Sequence, residues 1–440
     1  MKKLFPAGDS LANRISYYHM VLLLVSLPYD RFYSHLILIS FTIHTFIHLK
    51  KNGVKPVFTL PNLALSSVFL LTVAGTLYSI NRHEAFSEWS RQLVILLMPV
   101  VLCLNPIDLK KYRDNLLLTF GLSSTAVIIY LYLQAFRTIR FYHLPWQELF
   151  SPAFTNHNFS GPLDIHATFF SMQIAIALVY LLTVLIKTSS VYYKALLLFC
   201  CAILAAGIIQ LSSKSVFVAL LIIVNIAIPY FALKGRARVK YSLAALGISA
   251  LIITGIYQMD NFKERYVTDL KKDLSKATAE ELFDPRLARW QVALKLAAHA
   301  PLIGYGSGSE RALLKDRYFE HKFYRSYLAG LNAHNQFISF IIKTGLIGLV
   351  VYLATLYFGF KASIDNNDLM LFAFMVIISA VSFSENFLDV DKGVFFYSIF
   401  FPLLLFSVRQ KSTVIRAKAT HNNLVTGNPK RVSSVIITES

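Results

Sequence analysis

Long apolar runs limit what this chain can fold into. A membrane-spanning helix needs about 20 predominantly apolar residues. By that criterion about twelve crossings are expected, at 16–29, 34–49, 58–80, 91–104, 115–136, 165–186, 194–210, 215–233, 240–257, 335–360, 369–384 and 394–408. Of the 440 residues, 55% are hydrophobic and only 15% charged, where a soluble domain carries roughly a quarter charged. The expected fold class is an all-α polytopic membrane protein with about 12 transmembrane helices and one large periplasmic loop.

The net charge of +19 could suggest a nucleic-acid partner. Its placement argues otherwise. Lysines and arginines collect in alternate loops, at Lys50, Lys51 and Lys55, at Lys110, Lys111 and Arg113, at Lys187 and Lys194, and at Lys234, Arg236, Arg238 and Lys240. Cytoplasmic loops carry such an excess, so the charge is a topology signal and the partner is a lipid bilayer, not nucleic acid. The basic start, Met1-Lys2-Lys3, is followed by Gly8-Asp9-Ser10 and Asn13-Arg14 before any apolar core. This reads as a cytoplasmic tail and an uncleaved first helix. Both termini are then cytoplasmic. Four regions follow: nine spans over 1–257, a periplasmic loop with amphipathic helices over 258–334, three spans over 335–408, and a basic cytoplasmic tail without fixed structure over 409–440. A shorter outer loop covers about 137–164. Cys103, Cys200 and Cys201 all fall in apolar runs, so neither a disulfide nor a metal site is expected.

The polar end of the long loop carries the motifs. Asp284-Pro285-Arg286 starts like a helix, with Asp284 as cap and Pro285 at the first helical position. Leu287, Trp290, Leu294, Ala297 and Ala298 recur at helical spacing, and Arg286 shares a face with Trp290. Arginines on an amphipathic helix at a membrane surface suit an anionic, lipid-linked substrate. Pro301 stops the run, and Gly304-Tyr305-Gly306-Ser307-Gly308 forms a tight turn. No strand precedes those glycines and the loop faces outward, where ATP and NAD are absent, which argues against a nucleotide-binding loop. His334-Asn335 then opens the next span, where free backbone N–H groups collect.

Lys214, within Ser212-Ser213-Lys214-Ser215, lies between two apolar runs at the same outer face. Ionisable groups at such depth default to function. Arg91 and Lys343 admit two readings, a substrate contact or an anchor in the lipid headgroups. His334 can take a proton from a sugar hydroxyl, and the fixed cations Arg286 and Lys214 can hold a diphosphate leaving group. Asn335, Trp290, Arg289 and Arg91 are assigned to substrate binding. His157, His166 and His299 lack such company and read as structural. No cofactor is expected, and no metal, because the outer aspartates and glutamates are scattered and none pairs with a histidine at ligand spacing.

These residues resemble the O-antigen ligase/polymerase superfamily. Its pattern is an Arg four residues before a Trp, a Pro-Leu-x-Gly-x-Gly-x-Gly turn, and a His-Asn opening a helix with Gly-x-x-Gly. Here these are Arg286 and Trp290; Pro301, Leu302, Gly304, Gly306 and Gly308; His334 and Asn335; Gly345 and Gly348. The motif-bearing stretch is roughly 195–360. The chain departs from the pattern at Lys214, where an arginine is usual, at Lys343, where many members carry an acid, and at Ala167 after His166. The resemblance implies a GT-C-like helical fold in a bacterial inner membrane, with the active site facing the periplasm. It implies a metal-independent, inverting transfer of a glycan from undecaprenyl diphosphate to an acceptor, either a lipid A-core sugar in a ligase or a growing glycan in a polymerase. A transporter or flippase is the alternative from another class. It would show an internal repeat and paired charges at the midplane, and no repeat is present.

Overall fold

The computed structural model describes residues 9–49, 55–275 and 284–425. The basic start over 1–8, Lys50 and Lys51, part of the long loop at 276–283, and the tail from 426 lie outside the described residues. The described chain is helical, without a strand. Its main helices are α1 (Leu11–Ser26), α2 (Arg31–Ile47), α3 (Leu60–Leu77), α4 (Arg82–Leu104), α5 (Leu109–Phe141), α6 (Ala167–Lys187), α7 (Val191–Leu211), α8 (Lys214–Ala232), α9 (Gly235–Gln258), α10 (Arg286–Ala297), α11 (Glu310–Glu320), α12 (Gln336–Asp365), α13 (Leu369–Ser382) and α14 (Asp391–Val425). Among the described residues, 9 helices are long and apolar enough to cross a membrane: α3 to α9, α12, and α14 over Asp391–Val408. The shorter α1, α2 and α13 lie at the other expected crossings. The tail expected to lack structure after Gln410 begins as a continuation of α14, with neither Gly nor Pro between Pro402 and Gly427 to stop it.

Helix starts follow capping chemistry. The side chains of Ser10, Asp30, Asn81, Asp108 and Asp368 accept from backbone N–H groups in the first turns of α1, α2, α4, α5 and α13. The core is centred on α14 and α6, whose most apolar windows are 83% and 72% buried. Phe374 of α13 packs against Phe396 and Phe401 of α14, and Phe120 of α5 meets Phe400, with ring centroids 5.0–5.6 Å apart. By contrast α9 is peripheral, with 17% of its window buried.

One irregularity places the site. Within α12, Gly345 adopts φ 64°, ψ −160° and breaks the helix. The carbonyls freed at Ile342 and Lys343 accept from Tyr305 N (2.9 Å) and Gly306 N (2.8 Å). The N–H groups of Leu346 and Ile347 donate to the carbonyls of Pro301 and Leu302. The glycine turn of the loop is therefore stitched into the break in the spanning helix, which satisfies the exposed backbone groups. A Cβ on Gly304 would strike the Ile342 carbonyl, and one on Gly345 would strike Leu302. Both glycines also need their positive φ.

Candidate functional site

The helix carrying Arg286 begins as expected but is capped differently. Pro285 is the N-cap of α10 and no side chain caps it. Asp284 instead accepts from the backbone N–H and the hydroxyl of Ser326, both at 2.7 Å, which ties the helix start to the segment Tyr324–Leu328. The buried face of α10 is Ala288, Arg289, Val292, Ala293, Leu296 and Ala297, and Leu294 is exposed. That face differs from the expected stripe, and the helix packs against α11 and α12.

Arg286 points to the turn between α13 and α14. Its Nη1 donates to the Ser384 carbonyl (3.0 Å), and its Nη2 lies 4.0 Å from Glu385 Oε1. The other oxygen of Glu385 is 3.0 Å from His334 Nδ1. A carboxylate there fixes the imidazole with its proton on Nδ1, which leaves the Nε2 lone pair free to accept a proton. Burial alone would raise the Glu385 carboxyl, but the His334 hydrogen bond and the cationic groups around it, Arg286 among them, outweigh it and lower it.

His334 has φ 47°, a left-handed conformation that costs of order 1–3 kcal/mol in a residue other than glycine. Its neighbours over-determine it. Ala333 N donates to Glu310 Oε1 (2.9 Å), His334 N to Asn332 Oδ1 (3.0 Å) and Asn335 N to Asn386 Oδ1 (2.8 Å). Trp290 Nε1 donates to the Ala333 carbonyl at 2.9 Å. The Arg286–Trp290 pair thus reaches both members of the dyad, one through Glu385 and one through the backbone before His334. Asn335 is the N-cap of α12; its Oδ1 accepts from Phe337 N and Ile338 N at 3.0 and 3.1 Å.

Lys214 opens α8 on the same end of the bundle. Asp273 joins it to Arg286, with Oδ2 3.2 Å from Lys214 Nζ and 3.6 Å from Arg286 Nε. Two cations within reach of one carboxylate oxygen can together hold an anionic group. His166, read from sequence as structural, caps α6 through Nδ1, and its ring sits 4.2 Å from that of His157. Burial pushes His166 down to about 4, while the Glu385 charge opposes the shift. It is neutral at physiological pH and, with Nδ1 accepting, carries its proton on Nε2. His299, just past the end of α10, reaches back through Nδ1 to the Lys295 carbonyl at 2.9 Å.

Arg289 is 5% exposed, and Tyr318, Arg286, Asp273 and Asp284 lie within electrostatic reach of it. Arg91 pairs with Glu84 (3.1 Å) and Ser87 (2.8 Å) at the rim of a separate cavity of about 230 Å³. Lys343 is not a headgroup anchor. It is 6% exposed, ion-paired with Glu88 and with Asp389 (2.7 Å), and 3.7 Å from Glu310. Glu310 also receives Asn386 Nδ2 (3.0 Å) and the Ser339 hydroxyl (2.5 Å), and Glu88 receives Gly308 N (2.9 Å). This buried ionic cluster anchors the glycine turn and, through Glu310 and Asn386, the backbone on either side of His334.

Glu385 was missed in the sequence. Its only signal there was a polar triplet, Ser384-Glu385-Asn386, between two apolar runs.

Comparison with known proteins points the same way. The O-antigen ligase family model matches residues 197–353, which include Lys214, Arg286, Trp290, the glycine turn, His334 and Gly345. An uncharacterized protein of Haemophilus influenzae is 23% identical over 177 residues, 38% of this chain and 44% of that protein. The exopolysaccharide production protein ExoQ of Rhizobium meliloti is 31% identical over 116 residues, 23% of this chain and 25% of that protein. The chain thus spans less than half the length of either relative. The motifs and the family model coincide on one stretch, and over residues 197–353 this chain is similar to the O-antigen ligase family.

Proposed function

We propose that the chain is an O-antigen ligase-type glycosyltransferase. It takes a glycan from undecaprenyl diphosphate and joins it to a hydroxyl of a lipid A-core sugar, at the periplasmic face of a bacterial inner membrane. The observation that carries this reading is the His334–Glu385 dyad beside the Arg286 and Lys214 cations. The acceptor oxygen attacks the anomeric carbon, its proton passes to His334 Nε2, and the bond from that carbon to the diphosphate oxygen breaks. Glu385 stabilises the imidazolium, and Arg286 with Lys214 holds the negative charge of the departing diphosphate. A single displacement of this kind inverts the anomeric centre.

A polymerase is the second reading, favoured by the exopolysaccharide-production relative. A deletion strain separates the two. Loss of capped lipopolysaccharide with accumulation of full-length lipid-linked glycan marks a ligase, whereas shortened chains mark a polymerase. An unaltered surface glycan profile would refute both.

Arg286 tests the site directly. Its guanidinium spans Ser384, Asp273 and Glu385, a reach that a single ammonium lacks. Arg286→Lys is expected to reduce transfer sharply in folded protein, and Arg286→Ala to abolish it. Transfer at the wild-type rate in folded Arg286→Ala protein would remove Arg286 from the site.

Transfer is also expected to persist in excess chelator. Among the described residues no group of three or more His, Cys, Asp or Glu side chains is arranged to hold a metal ion, and the cations already supply the charge on the leaving group. Activity lost to chelator and restored by magnesium or manganese would contradict this.

A further inference from the structure

The transfer step leaves two histidines of the shorter outer loop without a task. His157 sits on the short helix Asn156–Ser160, and His166 at the start of α6. Each accepts a backbone N–H of α6 through Nδ1, His166 from Thr168 at 3.3 Å and His157 from Ala167 at 3.4 Å. A ring nitrogen that accepts carries no proton, so both imidazoles are neutral and hold their hydrogen on Nε2. Among the described residues neither Nε2 has a hydrogen-bond partner. The two rings meet edge to face at 4.2 Å, and Phe169 lies 4.8 Å from the ring of His166. The buried Ser160 closes the connecting turn onto the Ile165 carbonyl at 2.6 Å. These contacts fix the His166 ring before any substrate arrives. His166 is half-buried and His157 exposed, so a ligand has access to the pair. His166 lies within electrostatic reach of Glu385, His334 and Arg286, and His157 within reach of Glu385 and Arg265.

We propose that His166, steadied by His157, is a further substrate-binding residue whose Nε2–H donates to an oxygen of the sugar being transferred. The inference rests on the transferase reading and adds a sugar contact to it. Arg286 holds the leaving group and His334 takes the proton of the acceptor. The part of the substrate that lies between those two is the transferred sugar, and His166 is within reach of both. The chemistry of the ring agrees. Arg286 and Lys214 already meet the charge of the diphosphate, and an imidazolium beside a guanidinium would be repelled. A ring held neutral by its Nδ1 cap adds no charge. What it offers is one fixed N–H, which suits a neutral acceptor such as a sugar hydroxyl or an acetamido carbonyl.

The test replaces the two ring nitrogens one at a time. In His166→Asn the amide oxygen stands in for Nδ1 and keeps the cap on Thr168 N, while the Nε2–H is lost. In His166→Gln the longer amide presents an N–H near the place of Nε2, while the cap is lost. His166→Asn is expected to keep the wild-type melting temperature and to lose about tenfold in kcat/KM, the worth of one hydrogen bond. His166→Gln is expected to melt lower and to transfer, per folded molecule, closer to the wild-type rate. A histidine that only caps α6 predicts the reverse order, and that result would overturn the proposal. Binding then locates the contact. Undecaprenyl diphosphate bearing the glycan should bind His166→Asn about tenfold more weakly than wild type, whereas undecaprenyl diphosphate alone should bind the two proteins equally. Equal losses for both lipids would place the contact on the diphosphate and overturn the sugar assignment. A wild-type protein that binds the glycan-bearing lipid but never transfers from it would defeat the transferase reading alone, because the binding comparison decides the contact without turnover.

Discussion

His334→Ala is expected to lower turnover about 10²–10⁴-fold, the contribution of a positioned general base, with donor binding nearly unchanged. The imidazole touches Glu385 through Nδ1 and none of the cations assigned to the diphosphate. Removing it takes away the proton acceptor and leaves Arg286 and Lys214 joined through Asp273. Glu385→Gln should fall in the same direction by a smaller factor, because an amide can still accept the Nδ1 hydrogen but no longer offsets an imidazolium. The two losses should not add, since Glu385 acts through His334: the double variant should be no slower than His334→Ala alone. A purely structural histidine predicts lower thermal stability with a near-normal rate per folded molecule. Donor binding, melting temperature and transfer rate on one preparation separate these outcomes. The dyad also has a stability signature. The Glu385 carboxyl is held below its ordinary value, so its contribution is complete above the unfolded carboxylate value and is lost as pH falls through the lowered one.

What the sequence showed and what it hid divide along a physical line. Apolar runs report spanning helices directly, because the bilayer demands them. Arg286, Trp290 and His334 were visible as a spaced pattern within one stretch. Glu385 was not, because the partner of His334 lies 51 residues later, in a turn that carries no periodicity. Trp290 and Asn335 were read as substrate contacts, yet their polar atoms are engaged in holding the backbone around His334 and the start of α12. The same limit hid the role of the glycines. Their spacing signals a turn, but not that Gly345 breaks a spanning helix and that the turn fills the gap. Lys343 was hardest to read. An isolated lysine in an apolar run has the same appearance whether it reaches for headgroups or for carboxylates, and here the carboxylates come from α4, α11 and the turn before α14.

That cluster supports the second large effect. Lys343→Met should destabilise the protein by about 3–5 kcal/mol, the usual cost of removing one partner from a buried ion pair. Methionine fills the space, so the loss is electrostatic rather than a cavity. Without the ammonium, Glu88, Glu310 and Asp389 face one another at 5%, 2% and about a tenth exposure, respectively, with too few donors to satisfy them. Glu310 is also the acceptor for Ala333 N, so the disturbance reaches His334, and transfer should decline together with stability. Two features identify the mechanism. The gap between variant and wild type should narrow in acid, because protonated carboxyl groups no longer repel one another. Adding Glu88→Gln should recover part of the loss, although on its own it removes an ionic partner of Lys343 while leaving an acceptor for Gly308 N. A lysine that merely anchored in lipid headgroups would give an unchanged melting temperature, no dependence on pH and no coupling to Glu88; thermal unfolding of the four proteins of this cycle at neutral and acid pH would show which holds.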